Sequence, residues 1–312
     1  MEKPFRERYA DARSVGASFL REDMATPSQA LIVGCGYLGI RVGGLLRTRG
    51  WRIMATTTTP SRIPELAALG FDPVILDVSK AEDSPVWKQY HDAVIYAVAP
   101  GRSTDPRIAF HEGPLCCAGH LLSTTLPLPR RFVHISSTGV YSEQGGDRVD
   151  EESPADPPEE RLQWLRKAET ALQELAARKG LPAVILRLAG LYGPGRSPDL
   201  WLRRPEMRER ISSACGEAYM NWVRVEDAAG AVILAIERGR PGEIYNIVDN
   251  EPVTRLDFYT RAARRASLAV PRFSGSENLG KRCSAQKARV QLGFEPSFPT
   301  YREGLSDLCG PA

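Results

Sequence analysis

Ala30-Leu31-Ile32-Val33 runs directly into Gly34-Cys35-Gly36-Tyr37-Leu38-Gly39. The four apolar residues suit a strand buried on both faces, and the next six have the G-x-G-x-x-G spacing. Behind them Leu38, Val42, Leu45 and Leu46 recur at helical intervals until Gly50, a helix stop, and Ile53-Met54-Ala55 opens a second strand. Alone, a glycine hexapeptide marks only a tight turn. Between strand and helix, its glycines let the chain turn sharply, let backbone N–H groups approach a pyrophosphate, and seat the helix with its N-terminus facing that anion. The stretch predicts a β-α-β dinucleotide site built on Gly34, Cys35, Gly36, Tyr37, Leu38 and Gly39.

A site specific for NAD usually carries an acid about 20 residues further on, at the end of the second strand. No acid occurs from Trp51 to Pro64, where Thr56, Thr57, Thr58, Thr59, Ser61 and Arg62 stand instead. Hydroxyls and a guanidinium suit a 2′-phosphate, so the spacing favours NADP over NAD, with Thr57 and Arg62 as contacts. The other reading is β propensity plus a turn for the threonines and a solvated helix start for Arg62.

Further strands follow at regular intervals. Phe71–Asp77 reads as the third, and Asp77 at its carboxyl end either contacts an adenine amine or caps the helix that starts near Ser79. Asp92–Pro100 reads as the fourth, with Val98 and Ala99 small enough for a cofactor to approach the backbone. Arg131–Ser137 reads as the fifth; His134 belongs to its core, and Ser136 and Ser137 end it on the ligand side.

The 312 residues make one large domain or two closely joined ones. Residues 1–27 read as a flexible extension, 28–190 as the dinucleotide-binding domain, and 191–312 mainly as a smaller lobe for substrate. With 41 basic and 38 acidic residues the net charge is +3, too even to announce a nucleic-acid partner. No apolar run reaches the length of a membrane span, so no membrane partner is expected. The six cysteines lack metal-ligand spacing and read as free thiols of a cytoplasmic protein, and the four scattered histidines form no zinc motif; no metal is expected.

From about residue 29 to 300 the chain resembles the extended and atypical short-chain dehydrogenase/reductase superfamily, which holds NAD(P)-dependent sugar epimerases and dehydratases, and most of all its atypical bacterial members. Ser136-Ser137-Thr138-Gly139-Val140-Tyr141 is similar to the family's S-[ST]-x-x-V-Y segment. Arg187 through Tyr192-Gly193-Pro194-Gly195 is similar to its R-x-x-x-x-Y-G-P-G turn, and Val223-Arg224-Val225-Glu226-Asp227-Ala228-Ala229 to its V-H-V-x-D-x-A step, with arginine for histidine. The resemblance implies a Rossmann-type doubly wound α/β sheet with a smaller, discontinuous C-terminal lobe. In that fold residues 226–248 return to the main sheet, and paired helices form a homodimer.

The resemblance also gives Ser137 the task of assisting reaction at a substrate oxygen. It further implies a Y-x-x-x-K acid/base unit, but no tyrosine here has lysine four residues later. Aligning Glu169 with the acid common later in that helix puts Arg161 at the tyrosine position and Leu165 at the lysine position. An ordinary phenol has a pKa of about 10 and is poorly poised without a cation beside it. Tyr141 and Tyr192 are the substitutes, the alternative for each being binding or packing. The basic stretch Trp201–Arg210 lies where related proteins build substrate contacts, and Arg196, Arg203 and Arg204 suit a substrate phosphate or carboxylate, surface exposure being the competing reading for each. The chain reads as an NAD(P)-dependent oxidoreductase or epimerase/dehydratase-like enzyme for a small polar substrate, with a non-catalytic cofactor-binding sensor as the rival.

Overall fold

The computed structural model describes residues 27–80, 84–100, 105–142, 145–276 and 280–308. Seven parallel strands form the central sheet: β1 (Gln29–Val33), β2 (Arg52–Thr57), β3 (Asp72–Ile75), β4 (Ala93–Tyr96), β5 (Arg131–Ser137), β6 (Ala183–Leu188) and β7 (Ile244–Ile247). Their spatial order is β3-β2-β1-β4-β5-β6-β7, so the chain winds outward in one direction from β1 and then in the other from β4. This is the doubly wound Rossmann-type sheet. The reversal between β1 and β4 leaves a crevice at their carboxyl ends, where such sheets bind ligands.

Strand alternation explains the layers. Ala30, Ile32, Ala93, Ile95, Val133, Val184 and Leu186 face one apolar cluster, which the helices Tyr37–Thr48 and Val225–Arg238 cover. Leu31, Val33, Val94, Tyr96, Phe132 and Ile185 face the other, covered by Gly113–Ser123 and Glu160–Lys179. Both faces of the central strands are therefore apolar, as a fully covered parallel sheet requires. A third cluster, with Tyr192, Leu202, Phe258, Tyr259, Tyr301 and Leu305, holds the C-terminal part. Trp222 stacks there between Trp201 and Phe258, with ring centroids 5.6 and 4.5 Å away.

Several sequence expectations need refining. β3 is shorter than the apolar run suggested, because Asp77 ends it: the carboxylate accepts hydrogen bonds from both the backbone and the hydroxyl of Ser79, starting a short turn of helix at Val78–Lys80. His134 is fully buried as expected, yet neither of its ring nitrogens has a hydrogen-bond partner among the described residues. Arg224, at the position of the family's histidine, is buried and pairs with Glu226 and Asp307, each at 2.8 Å. It thereby ties the last helix, Tyr301–Asp307, to the start of Val225–Arg238. The extension read over residues 1–27 lies outside the described residues but for Pro27.

Candidate active site

One cleft of about 1070 Å³ opens along the carboxyl ends of the central strands. Gly34, Cys35, Gly36, Tyr37, Leu38, Gly39, Thr57, Arg62, Asp77, Val98, Ala99, Ser137 and Arg196 all line it. The sequence separates these residues by more than 160 positions; the parallel topology brings them together.

At the glycine-loop end the backbone does the shaping. Gly34 has φ +83°, and a Cβ there would stand 2.9 Å from the Val98 backbone. Gly36 has no heavy atom within 4 Å of where its Cβ would be, so its backbone faces open space. The loop is pinned by Thr56, whose hydroxyl accepts from Gly34 N at 3.0 Å and whose carbonyl accepts from Cys35 N at 2.8 Å. Sequence reasoning grouped Thr56 with the phosphate donors, whereas it is a strut. Gly36 caps the helix Tyr37–Thr48 without any side-chain cap and without acids in its first turn, so its N-terminal N–H groups present partial positive charge to the cleft. These features fit the pyrophosphate of a dinucleotide. Burial pushes the Cys35 thiol up to about 12, which leaves it a wall and not a nucleophile.

Next to the loop, Arg62 donates to Cys35 O at 2.9 Å and pairs with Glu65 at 3.2 Å. The Thr57 hydroxyl accepts from Thr59 N at 3.1 Å. No carboxylate from β2 itself enters the cleft.

The far end is formed by side chains. Ser137 Oγ accepts from Gly139 N at 3.0 Å, which leaves its own hydrogen available to a substrate oxygen. Below it, Ser136 donates to Glu169 Oε1 at 2.6 Å, and Arg187 grips both oxygens of Glu169 at 3.0 and 2.7 Å. Glu169 and Arg187 are 0% and 1% exposed, so this ion pair is a desolvated pillar fastening helix Glu160–Lys179 to β5 and β6. That helix presents Arg161, Leu162 and Leu165 to the cleft, where Ile108, Phe110, Ile135 and Leu191 complete an apolar wall that sequence reasoning missed. The apolar period of the helix was legible; the wall contributed by Ile108 and Phe110 depends on a π-helical turn, Ile108–Glu112, with no such signal. Arg161 is exposed and paired with Glu159 at 2.7 Å.

Four expected site residues stand elsewhere. Tyr141 is buried outside the cleft lining, donates to Asn246 Oδ1 at 2.8 Å and lies against the Arg187 guanidinium; burial pushes its phenol up to about 12. Tyr192 is fully buried in the aromatic cluster, edge-on to Trp222 and Phe258, and burial likewise raises its phenol. Packing encloses both rings, and neither lines the cleft. Arg203 and Arg204 are exposed between the short helices Pro198–Leu202 and Pro205–Ser212, away from the cleft lining. Among the described residues no cluster of His, Cys, Asp or Glu is placed to hold a metal ion, and no helix is long and apolar enough to cross a membrane.

Comparison with known proteins agrees with the fold. Protein YeeZ of Escherichia coli (strain K12) is 31% identical over 275 residues, spanning 86% of this chain and 95% of that protein. A 3-diazoavenalumate denitrifying reductase from a Streptomyces species is 26% identical, spanning 89% of this chain and 99% of the reductase. The crystal structure of dTDP-glucose 4,6-dehydratase from Bacillus anthracis, in complex with NAD, superimposes with a TM-score of 0.76 at 16% identity, over 91% of this chain and 95% of the dehydratase. The family model described as NAD dependent epimerase/dehydratase matches residues 30–248. This chain belongs to the NAD dependent epimerase/dehydratase family.

Proposed function

We propose that the protein is an NAD(P)-dependent oxidoreductase that acts on a small substrate seated beside Ser137 and uses NADP in preference to NAD. The observation that carries this reading is the continuity of the cleft: the glycine loop and Ser137 line the same space. A bound nicotinamide cofactor supplies the hydride donor or acceptor. Gly34, Gly36 and the first turn of helix Tyr37–Thr48 hold its pyrophosphate, and Arg62 with Thr57 meets a 2′-phosphate. Thr57 ends β2, where an NAD-specific site would carry an acid, and Arg62 follows it in the short helix Pro60–Arg62 on the same cleft, which supports NADP.

At the far end Ser137 donates its hydrogen to the substrate oxygen. Arg161, at the position aligned with the family's tyrosine, lines the same cleft in a pair with Glu159 and adds a guanidinium where the family has a phenol. The apolar wall around Leu162 and Leu165 restricts polar recognition to a few groups, so the substrate is small and polar at its reacting end. The Streptomyces relative is named a reductase, which supports net reduction of a substrate over redox-neutral epimerisation. Dimerisation and a cytoplasmic location belong to the same reading and rest on the resemblance and on the cysteine spacing.

The specific observation favouring a non-catalytic sensor is Leu165, 2% exposed, at the position aligned with the family's lysine. Ser137→Ala separates the two readings. In an enzyme, turnover across a panel of carbonyl substrates falls about a hundredfold while cofactor affinity stays the same. A wild-type protein that binds cofactor and turns over nothing is the sensor.

A further inference from the structure

Arg196 is exposed on the turn Gly193–Arg196, which two backbone hydrogen bonds close: Gly193 N to Arg196 O at 3.3 Å and Arg196 N to Gly193 O at 3.0 Å. This turn is built against the glycine loop, not against the substrate end. A Cβ on Gly193 would lie 2.9 Å from the hydroxyl of Tyr37, the first residue of the helix that opens on the cleft. Arg41, one helical turn later, donates to Tyr37 O at 2.8 Å and to Pro194 O at 3.2 Å, bracing the turn over the helix N-terminus. Arg41 also faces Glu226 at 3.7 Å, so its charge is already answered.

Two guanidiniums lie over the Tyr37 ring, Arg41 at 4.1 Å and Arg196 at 5.6 Å from its centroid. Two cations on one ring repel, and Arg41 has carbonyl and carboxylate partners. The guanidinium of Arg196 has neither a hydrogen-bond nor an ion-pair partner among the described residues, and Arg196 lines the cleft together with Gly34, Gly36 and Gly39. A guanidinium held on an aromatic platform beside an uncapped helix N-terminus is an incomplete anion site, with a cation and N–H groups lining the same cleft.

We propose that Arg196 is a cofactor-binding residue that contacts the pyrophosphate beside the glycine loop, instead of a substrate group. The assignment rests on the nucleotide-binding reading above. Arg196 contacts a group common to both cofactors and is therefore indifferent to the 2′-phosphate, in contrast to Arg62.

The test is equilibrium titration of wild type, Arg196→Gln and Arg196→Lys with NADPH, NADH and ADP-ribose, which has the pyrophosphate but no nicotinamide, together with adenosine 2′-monophosphate, which has no pyrophosphate. In Arg196→Gln the Kd for the first three rises by the same factor, about tenfold, as loss of one charge-assisted contact requires, while adenosine 2′-monophosphate is unaffected. Arg196→Lys, which keeps the charge and loses the planar stack on Tyr37, falls between. The difference from wild type shrinks as salt is raised. Because Arg196 is exposed, thermal stability without ligand stays at the wild-type value, which separates lost binding from lost folding. Unchanged affinities in Arg196→Gln, or a loss confined to NADPH, overturn the assignment. If wild type itself binds none of the four, the nucleotide-binding reading falls, and Arg196 falls with it.

Discussion

The two ends of the cleft are built differently. The nucleotide end is backbone: a glycine with φ +83°, a helix N-terminus and one threonine that holds the loop through its hydroxyl and carbonyl. The far end is side chain, resting on the charged pillar of Ser136, Glu169 and Arg187. A site made of main chain depends on conformation and tolerates few substitutions. A site made of side chains can change its chemistry while the scaffold stays, and Arg161 and Leu165 stand where such change shows.

Breaking the pillar is expected to have the largest effect. Glu169→Ala leaves the Arg187 charge buried without its partner, and a loss of about 3–5 kcal/mol in denaturant unfolding is expected. An effect under 1 kcal/mol would show that the far end does not depend on this pair.

His134, on the same strand as Ser137, sharpens the contrast through pH. Burial pushes its imidazole down to about 3, so the folded state keeps it neutral while the unfolded chain protonates it near 6.5. The unfolded state therefore binds more protons below about pH 6.5, and stability falls as the pH drops from there toward 3, by roughly 1.4 kcal/mol per pH unit. His134→Leu removes this contribution, and unfolding measured from pH 7 to 4 will show a shallower acid slope. Equal slopes would place the acid sensitivity elsewhere.

At the nucleotide end, Gly34→Ala puts a Cβ against the Val98 backbone at a positive φ. A loss of about 1–3 kcal/mol in stability is expected, together with loss of cofactor binding. The smallest effect belongs to Arg62→Gln, which raises the Kd for NADPH about tenfold and leaves that for NADH unchanged. Equal loss for both cofactors would mean that Arg62 serves the loop through its bond to Cys35 O and not a phosphate.

This contrast also decides what could be read from the sequence. Gly34 to Gly39 was legible because a backbone requirement restricts residue type at fixed spacing, and β5 from Arg131 to Ser137 matches its apolar run. Tyr141 and Tyr192 misled because phenols suit both chemistry and packing, and only tertiary burial distinguishes the two. Thr56 was placed among the right residues with the wrong task, since a strut and a ligand donor are the same hydroxyl in sequence. Ile108 and Phe110 had no local pattern, because the chain reaches the cleft there through an irregular turn.

The central claim is that the cleft binds a nicotinamide dinucleotide, and titration of the purified protein with NADPH and then NADH, followed by cofactor fluorescence and thermal stabilisation, tests it most directly. Saturable binding of both, tighter for NADPH, with a Tm that rises with ligand concentration, is the predicted result. Absence of binding by either cofactor would contradict it.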